Sequence, residues 1–107
     1  MFKEWINMMF FLWRQARYQA VTSSQIVSKT KGHLVYAHLI GGAQAAGTAS
    51  IYDGESALEE KVIDLAAIAG GNDSFTPSFP TVIKKGIYIA LAGTGATLTL
   101  VFMAKRE

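Results

Sequence analysis

The stretch Gly32–Gly54, GHLVYAHLIGGAQAAGTASIYDG, sets the pattern of the whole chain. His33–Ile40 is rich in the residues typical of a β-strand, and Gly41–Gly47 is a loop of small residues. Thr48–Tyr52 is a second short run of the same type. An Asp-Gly pair follows it and favours a tight turn. The stretch therefore predicts two strands with their connections.

Runs and turns of this kind continue to the C-terminus, and a weaker one precedes Gly32. Glycine, proline or lysine-rich turns separate them at short intervals. The further runs are Ala20–Thr30, Lys61–Ile68, Thr81–Lys85, Gly86–Ala92 and Ala96–Met103, with a Phe/Pro segment at Ser74–Pro80 and a hairpin turn expected at Gly93–Gly95. About six to eight short strands at this spacing predict an all-β fold, an antiparallel β-sandwich that is either jelly-roll-like or Ig-like.

Alternation along each run predicts which side chains face the core. On the first strand, Leu34, Tyr36, His38 and Ile40 would share one face. Later strands would point these residues inward: Ile63, Leu65, Ala67, Val82, Ile83, Ile87, Ile89, Leu91, Leu98, Leu100 and Phe102, with Met103 outward. A helix remains the alternative for Lys61–Ile68.

The first residues differ from the rest of the chain. Phe2–Gln19 carries apolar residues at steps of four and three, which is the spacing of one helical face. The run Met8–Trp13 is apolar on every side, so a helix there must be surrounded. We predict an N-terminal anchor helix at 1–19, followed by one β-sandwich domain at 20–107. Its partner-binding residues would be Phe2, Trp5, Ile6, Met9, Phe10 and Trp13.

Several surroundings for this helix remain open. The apolar run is shorter than the roughly 20 residues that a membrane span needs. Tyr18-Gln19-Ala20 is a poor cleavage site for a secretory signal. A groove between protein subunits, the chain's own β domain and the plane of a membrane surface are the other options.

Composition narrows the class of protein. The chain has 107 residues, of which 50% are hydrophobic and 17% charged, and its formal charge is +2. The length fits one domain. The small and scattered positive charge gives no strong signal for nucleic-acid binding. The absence of cysteine excludes disulfides and thiolate chemistry.

No motif predicts a catalytic, cofactor or metal site. His33 and His38 would point to opposite faces of their strand. The acidic residues near the Asp-Gly turn match no calcium-loop spacing. Gly93-Thr94-Gly95 lacks the lysine of a phosphate loop. Tyr36, Tyr52 and Tyr88 are the candidate surface contacts, for a carbohydrate or a protein partner, although ordinary sheet packing also explains them.

Five stretches of the chain together resemble the small β-sandwich modules of bacteriophage virion proteins, such as head-decoration and head-fibre modules. These stretches are GHLVYAHLI, TASIYDG, KVIDLAAI, FTPSFPTVIKKGIYIAL and ATLTLVF. The resemblance covers about Thr22–Met103 and consists of strands and turns. The N-terminal helix departs from the pattern. The resemblance implies a structural protein without catalytic residues, located in the virion after assembly in the host cytoplasm.

The expected function is therefore a non-enzymatic virion structural protein. It would dock on a capsid or tail assembly through the N-terminal helix and the β-sandwich, with other copies of itself and other virion proteins as partners and no cofactor. Two alternatives remain. One is a receptor- or glycan-binding β-sandwich module, and the other is a membrane-associated virion protein anchored by the helix.

Overall fold

The computed structural model describes residues 16–104, with side chains from residue 17 onward. This part of the chain folds into two antiparallel sheets and contains no helix. The strands are β1 (Ala16–Val21), β2 (Gln25–Ser28), β3 (Gly32–Ile40), β4 (Gly47–Asp53), β5 (Glu60–Ala67), β6 (Asn72–Phe75), β7 (Thr81–Ile83), β8 (Ile87–Ala92) and β9 (Thr97–Ala104). The prediction of a two-sheet, all-β domain is confirmed, with nine strands where about six to eight were expected.

The two sheets have the strand orders β1-β9-β3-β6 (sheet A) and β2-β8-β4-β5 (sheet B), and β7 also pairs with β3 in sheet A. Almost every connection between consecutive strands crosses from one sheet to the other. Only β4 and β5 are consecutive and paired. Outward from that hairpin the chain pairs β3 with β6 and β7, β2 with β8, and β1 with β9. The described chain is thus a set of nested antiparallel pairs.

The core lies between the sheets. The inward residues of β3, β4, β8 and β9 supply most of it, because alternation directs one side of each strand inward. The fully buried large side chains are Val21, Leu34, Leu39, Ile51, Ile83, Ile87, Ile89, Leu98 and Leu100. The expected inner face of β5 is confirmed for Leu65 and Ala67, while Ile63 is partly buried against the same core.

The predicted helix ends too late. Ala16–Val21 is strand β1, which pairs with β9 in an unbroken antiparallel register from Ala16 opposite Met103 to Val21 opposite Leu98. Sheet pairing with β9 overrides the helical spacing of these residues. The described strand thus begins before the predicted domain boundary at residue 20. The rest of the predicted helix, with all six of its anchor residues, lies outside the described residues.

A β-bulge in β3 corrects the predicted faces of that strand. The register with β9 shifts between Leu34 and Tyr36, so one extra residue interrupts the alternation. Leu34, Ala37 and Leu39 are buried, whereas Tyr36 and His38 lie on the outer face. The predicted set of Leu34 with Tyr36, His38 and Ile40 on one face is therefore wrong.

Two further predictions, one about orientation and one about a connection, are wrong. Val82 is 62% exposed, although Ile83 beside it is buried, since neighbours on a strand face opposite ways. Met103 does face outward as predicted, since it lies opposite His33 and alternates with the buried Phe102, although only 9% of it is exposed. The turn at Gly93–Gly95 does not close a hairpin, because β8 and β9 belong to different sheets.

Candidate functional site

The acidic residues near the turn after β4 divide into one buried anchor and an exposed group. Asp53 is 7% exposed, and its carboxylate accepts hydrogen bonds from the backbone N–H groups of Lys84, Lys85 and Gly86 at 2.8–3.4 Å. Burial by itself raises the pKa of Asp53, but these three N–H groups outweigh it and hold the pKa below its ordinary value. The Asp53 carboxylate is thus engaged in fixing the connection between β7 and β8.

Exposed charges surround this anchor. Lys85 Nζ lies 3.0 Å from a carboxylate oxygen of Glu59, and this hydrogen bond raises the pKa of Lys85. Within residues 16–104, no group of three or more histidine, aspartate or glutamate side chains is arranged to hold a metal ion. The Asp53 anchor and the Lys85–Glu59 ion pair thus lie side by side at the connection between β7 and β8.

His33 and His38 lie on the same outer face of sheet A, and the prediction of opposite faces is wrong. The bulge between Leu34 and Tyr36 adds one residue to the spacing and brings both histidines to that face. The rings of Tyr36 and His38 stack with centroids 6.2 Å apart and an interplanar angle of 7°. His38 Nδ1 is buried and has no hydrogen-bond partner within the described residues.

The three candidate tyrosines do not form one surface. Tyr36 lies on the outer face of sheet A, whereas Tyr52 and Tyr88 are paired across β4 and β8 in sheet B. The rings of Tyr52 and Tyr88 are 6.2 Å apart at 48°, and Lys61 Nζ lies 5.8 Å from the centre of the Tyr52 ring. Such tilted aromatic pairs and cation–π contacts are both attractive.

Ile26 extends this line of side chains, because it is the register partner of Tyr88 on β2. We name the four residues Ile26, Tyr88, Tyr52 and Lys61 the tyrosine row. It crosses all four strands of sheet B on the outer face. The positions of the tyrosines along the sequence did not reveal the tyrosine row. The residues come together only because β8 lies between β2 and β4 in sheet B.

A polar pair lies beside the tyrosine row. Ser50 Oγ donates a 2.5 Å hydrogen bond to Asp64 Oδ1, and Lys61 Nζ contacts Asp64 Oδ2 at 3.1 Å. The hydrogen bond from Ser50 is the main reason that the pKa of Asp64 is lowered, while the bond to Asp64 raises the pKa of Lys61. All of these contacts are solvent-exposed, and no histidine takes part, so the arrangement offers polar contacts to a partner and no activated nucleophile.

Several large apolar side chains are exposed, and sequence reasoning had singled out none of them as surface contacts. Tyr18 on β1, Ile40 on β3 and Val82 on β7 belong to sheet A. The others lie in connections. The exposed fractions are Tyr18 72%, Ile40 47%, Leu58 96%, Ile68 77%, Phe79 83% and Val82 62%. A single apolar residue in a polar loop, as in ESALEE around Leu58, is the signal that was available.

The glycine-rich end of the sandwich is held by backbone contacts. Gly41 N–H donates to the Gly71 carbonyl at 2.9 Å, and Gly70 N–H donates to the Gly42 carbonyl at 2.8 Å. The loop of small residues at Gly41–Gly47 is therefore tied to the connection between β5 and β6. A side chain at Gly42 would collide with the carbonyl oxygen of Thr94.

Within residues 16–104, no helix is long and apolar enough to span a membrane.

Comparisons with known proteins found no relative of this chain. No protein-family model matches the chain, and neither the curated proteins nor the solved structures contain a significant match.

Proposed function

We propose that this chain is a non-enzymatic structural protein of a bacteriophage virion, which docks on a capsid or tail assembly. The observation that carries the proposal is the nesting of antiparallel strand pairs into the sheets β1-β9-β3-β6 and β2-β8-β4-β5. This nesting is the strand order of a jelly roll, and the jelly roll is a common architecture of viral capsid domains. The proposal therefore takes the two-sheet sandwich to be a jelly roll.

The surface supports contact with partners. Only 17% of all residues are charged, below the usual quarter. Large apolar side chains are exposed both on sheet A and at the ends of the sandwich, including Tyr18, Leu58 and Phe79. Burial of such exposed apolar side chains against other proteins is favourable. A subunit that is covered on several sides in an assembly needs few charges to stay in solution.

The N-terminal anchor is supported by the sequence. The six predicted anchor residues would each contribute about 1.5–3 kcal/mol when buried against a partner, before the costs of association. Because β1 begins at Ala16, the anchor would be attached directly to an edge of sheet A. Many copies on a symmetric lattice would add avidity to each individual contact.

The test is deletion of residues 1–15, which removes the anchor and leaves β1 complete. Deletion of 1–19 would instead remove four of the six residues of β1 and confuse loss of the anchor with loss of the fold. The matched control keeps the length and replaces Phe2, Trp5, Ile6, Met9, Phe10 and Trp13 by serine.

We expect the full-length chain to form large assemblies in analytical ultracentrifugation and electron microscopy. Both altered chains should give a cooperative thermal unfolding transition and no large assemblies. A full-length chain that sediments as a monomer, or a truncated chain that assembles as well as the full-length one, contradicts the proposal.

A second candidate function rests on the tyrosine row. Jelly rolls also occur in lectins, and Tyr52 and Tyr88 offer ring faces beside the hydroxyl of Ser50 and the carboxylate of Asp64. This arrangement favours a glycan ligand. The test is a glycan array with the wild-type chain, the Tyr52→Ala and Tyr88→Ala variants, and Tyr36→Ala on the opposite sheet as the control. Binding that only the two sheet B variants lose supports it, and no binding contradicts it.

A further inference from the structure

The edge strands of the sandwich differ in how their outward backbone groups are occupied. An edge strand directs alternate N–H and C=O groups away from its sheet, and these groups pair readily with another strand. In the described chain, side chains occupy such groups at two edges. Asp73 Oδ2 accepts the N–H of Ala66 on β5, and Asp73 Oδ1 accepts the N–H of Ser74 on β6.

Irregular or short backbone protects the edges at β2 and β7. The register of β2 with β8 shifts between Ile26 and Ser28, and β2 has only four residues. β7 has three residues and follows Pro80, which lacks an N–H. Bulges, short strands and proline are the features that discourage a sheet edge from pairing with another chain.

β1 has none of these protections. It runs for six residues without proline or a bulge, and every residue keeps its partner on β9. Among the described residues, no hydrogen bond other than the ladder to β9 involves β1. Tyr18 at its centre is 72% exposed. The edge of sheet A at β1 is therefore the one whose backbone is best suited to accept a further strand.

We propose that β1 pairs antiparallel with β1 of a second copy of this chain, so that two A sheets join into one continuous sheet across a two-fold axis. A two-fold axis makes the same strand serve as both donor and acceptor, and this matches an edge that offers both groups. The contact adds a partner surface to the assembly proposed above and does not depend on the N-terminal anchor.

Side-chain chemistry selects the register. Side chains that lie opposite each other in an antiparallel pair share one face of the sheet. The two-fold axis must therefore lie midway between the two copies of one residue, which then face each other. An axis at Arg17 brings two guanidinium groups together, which is unfavourable. An axis at Gln19 places Arg17 opposite Val21. An axis at Tyr18 pairs the two Tyr18 rings and sets Arg17 opposite Gln19, which is the register that the residues favour.

The absence of cysteine makes a sharp test available. In the full-length Tyr18→Cys variant the two sulfurs would face each other across the axis, where opposed Cα atoms are about 4.5–5.5 Å apart and within disulfide range. The control is Thr48→Cys, an exposed position on the outer face of sheet B. Mild oxidation should convert Tyr18→Cys to a covalent dimer and leave Thr48→Cys monomeric on a non-reducing gel.

A second experiment uses charge. Full-length Tyr18→Asp and Tyr18→Lys should each self-associate about tenfold more weakly than the wild type or worse, because like charges would meet on the axis. An equimolar mixture of the two should recover the affinity. Unchanged dimerisation of the single variants, no rescue in the mixture, or equal cross-linking of Tyr18→Cys and Thr48→Cys overturns the pairing.

The two proposals fail in different ways. A chain that assembles normally but shows no Tyr18→Cys cross-link overturns the β1 pairing alone. A chain that cross-links through Tyr18→Cys but forms nothing larger than a dimer, with or without residues 1–15, supports the β1 pairing and contradicts the anchor.

Discussion

Asp53 and Lys85, 32 positions apart in sequence, are joined by a 2.8 Å hydrogen bond from the Lys85 backbone N–H to the Asp53 carboxylate. Asp53 ends β4 in sheet B, and Lys85 lies in the connection that carries the chain from sheet A at β7 to sheet B at β8. The same carboxylate accepts the N–H groups of Lys84 and Gly86. One buried charge thus fixes the path by which the chain crosses between the sheets.

Replacement of Asp53 by asparagine should destabilise the domain by about 1.5–3 kcal/mol at neutral pH, since an amide has one acceptor oxygen and no charge. The loss should depend on pH. The folded pKa of Asp53 is lowered from its ordinary value of 3.8, so the carboxylate stabilises the fold above that value and ceases to do so as pH falls through the folded pKa.

Urea denaturation of the wild type and Asp53→Asn from about pH 7 to pH 2 measures this difference. The gap in unfolding free energy should be constant at neutral pH and shrink below about pH 4. A gap that stays constant throughout the acid range contradicts the role assigned to the charge.

Ser24 is expected to stabilise the fold although it lies in a polar loop. Its hydroxyl accepts the N–H of Leu91 at 2.9 Å and donates to the carbonyl of the same residue at 3.3 Å. Ser24→Ala should cost about 0.5–1.5 kcal/mol. Ser23→Ala is the matched control, an exposed neighbour expected to stay within about 0.5 kcal/mol of wild type. Equal effects of the two substitutions on thermal unfolding would show that the Leu91 contacts are unimportant.

Gly32 should tolerate no side chain. A Cβ there would collide with the backbone carbonyl oxygen of Met103 on β9, so Gly32→Ala must push the two strands apart. We expect a loss of about 1–3 kcal/mol or more. Gly70→Ala is the comparison: its φ of 71° is unfavourable for alanine, but open space surrounds it. Its cost should be about 1 kcal/mol. Chemical denaturation of both variants measures the two losses of stability. A larger loss for Gly70→Ala than for Gly32→Ala would contradict the prediction.

The tyrosine row should show energetic coupling. A double-mutant cycle of Tyr52→Ala and Tyr88→Ala should give a coupling energy of about 0.5–1.5 kcal/mol, because their rings are in contact across the strands. The cycle of Tyr52→Ala with Tyr36→Ala should give less than about 0.5 kcal/mol, because these residues lie on different sheets. Similar coupling in both cycles would contradict the separation of Tyr36 from the row.

Local pattern predicted the class of fold but not the partners of each strand. Alternation placed Leu98, Leu100 and Phe102 of β9 in the core, and the structure confirms it. The same reasoning failed at β3, because a bulge at one position changes the face of every later residue and leaves no mark in the sequence. It failed again at Gly93–Gly95, where a short turn was read as a hairpin and instead joins strands of different sheets.

The candidate surfaces depended even more on tertiary structure. The three tyrosines were all found from sequence, but only strand order separates Tyr36 from the pair formed by Tyr52 and Tyr88. Tyr18 was missed as a surface residue because the helical spacing before it was extended across β1.

By itself the sequence determined the composition of the strands, the positions of the turns and the identity of most core residues, since these follow from alternation and backbone preference within a few neighbours. The tertiary structure alone decided the nested pairing, the bulge in β3, the anchoring of Lys84–Gly86 by Asp53 and the open edge at β1. Each of these features depends on which residues far apart in the chain meet. The hydrogen-bond partner of a strand is selected by the whole fold and not by the local sequence.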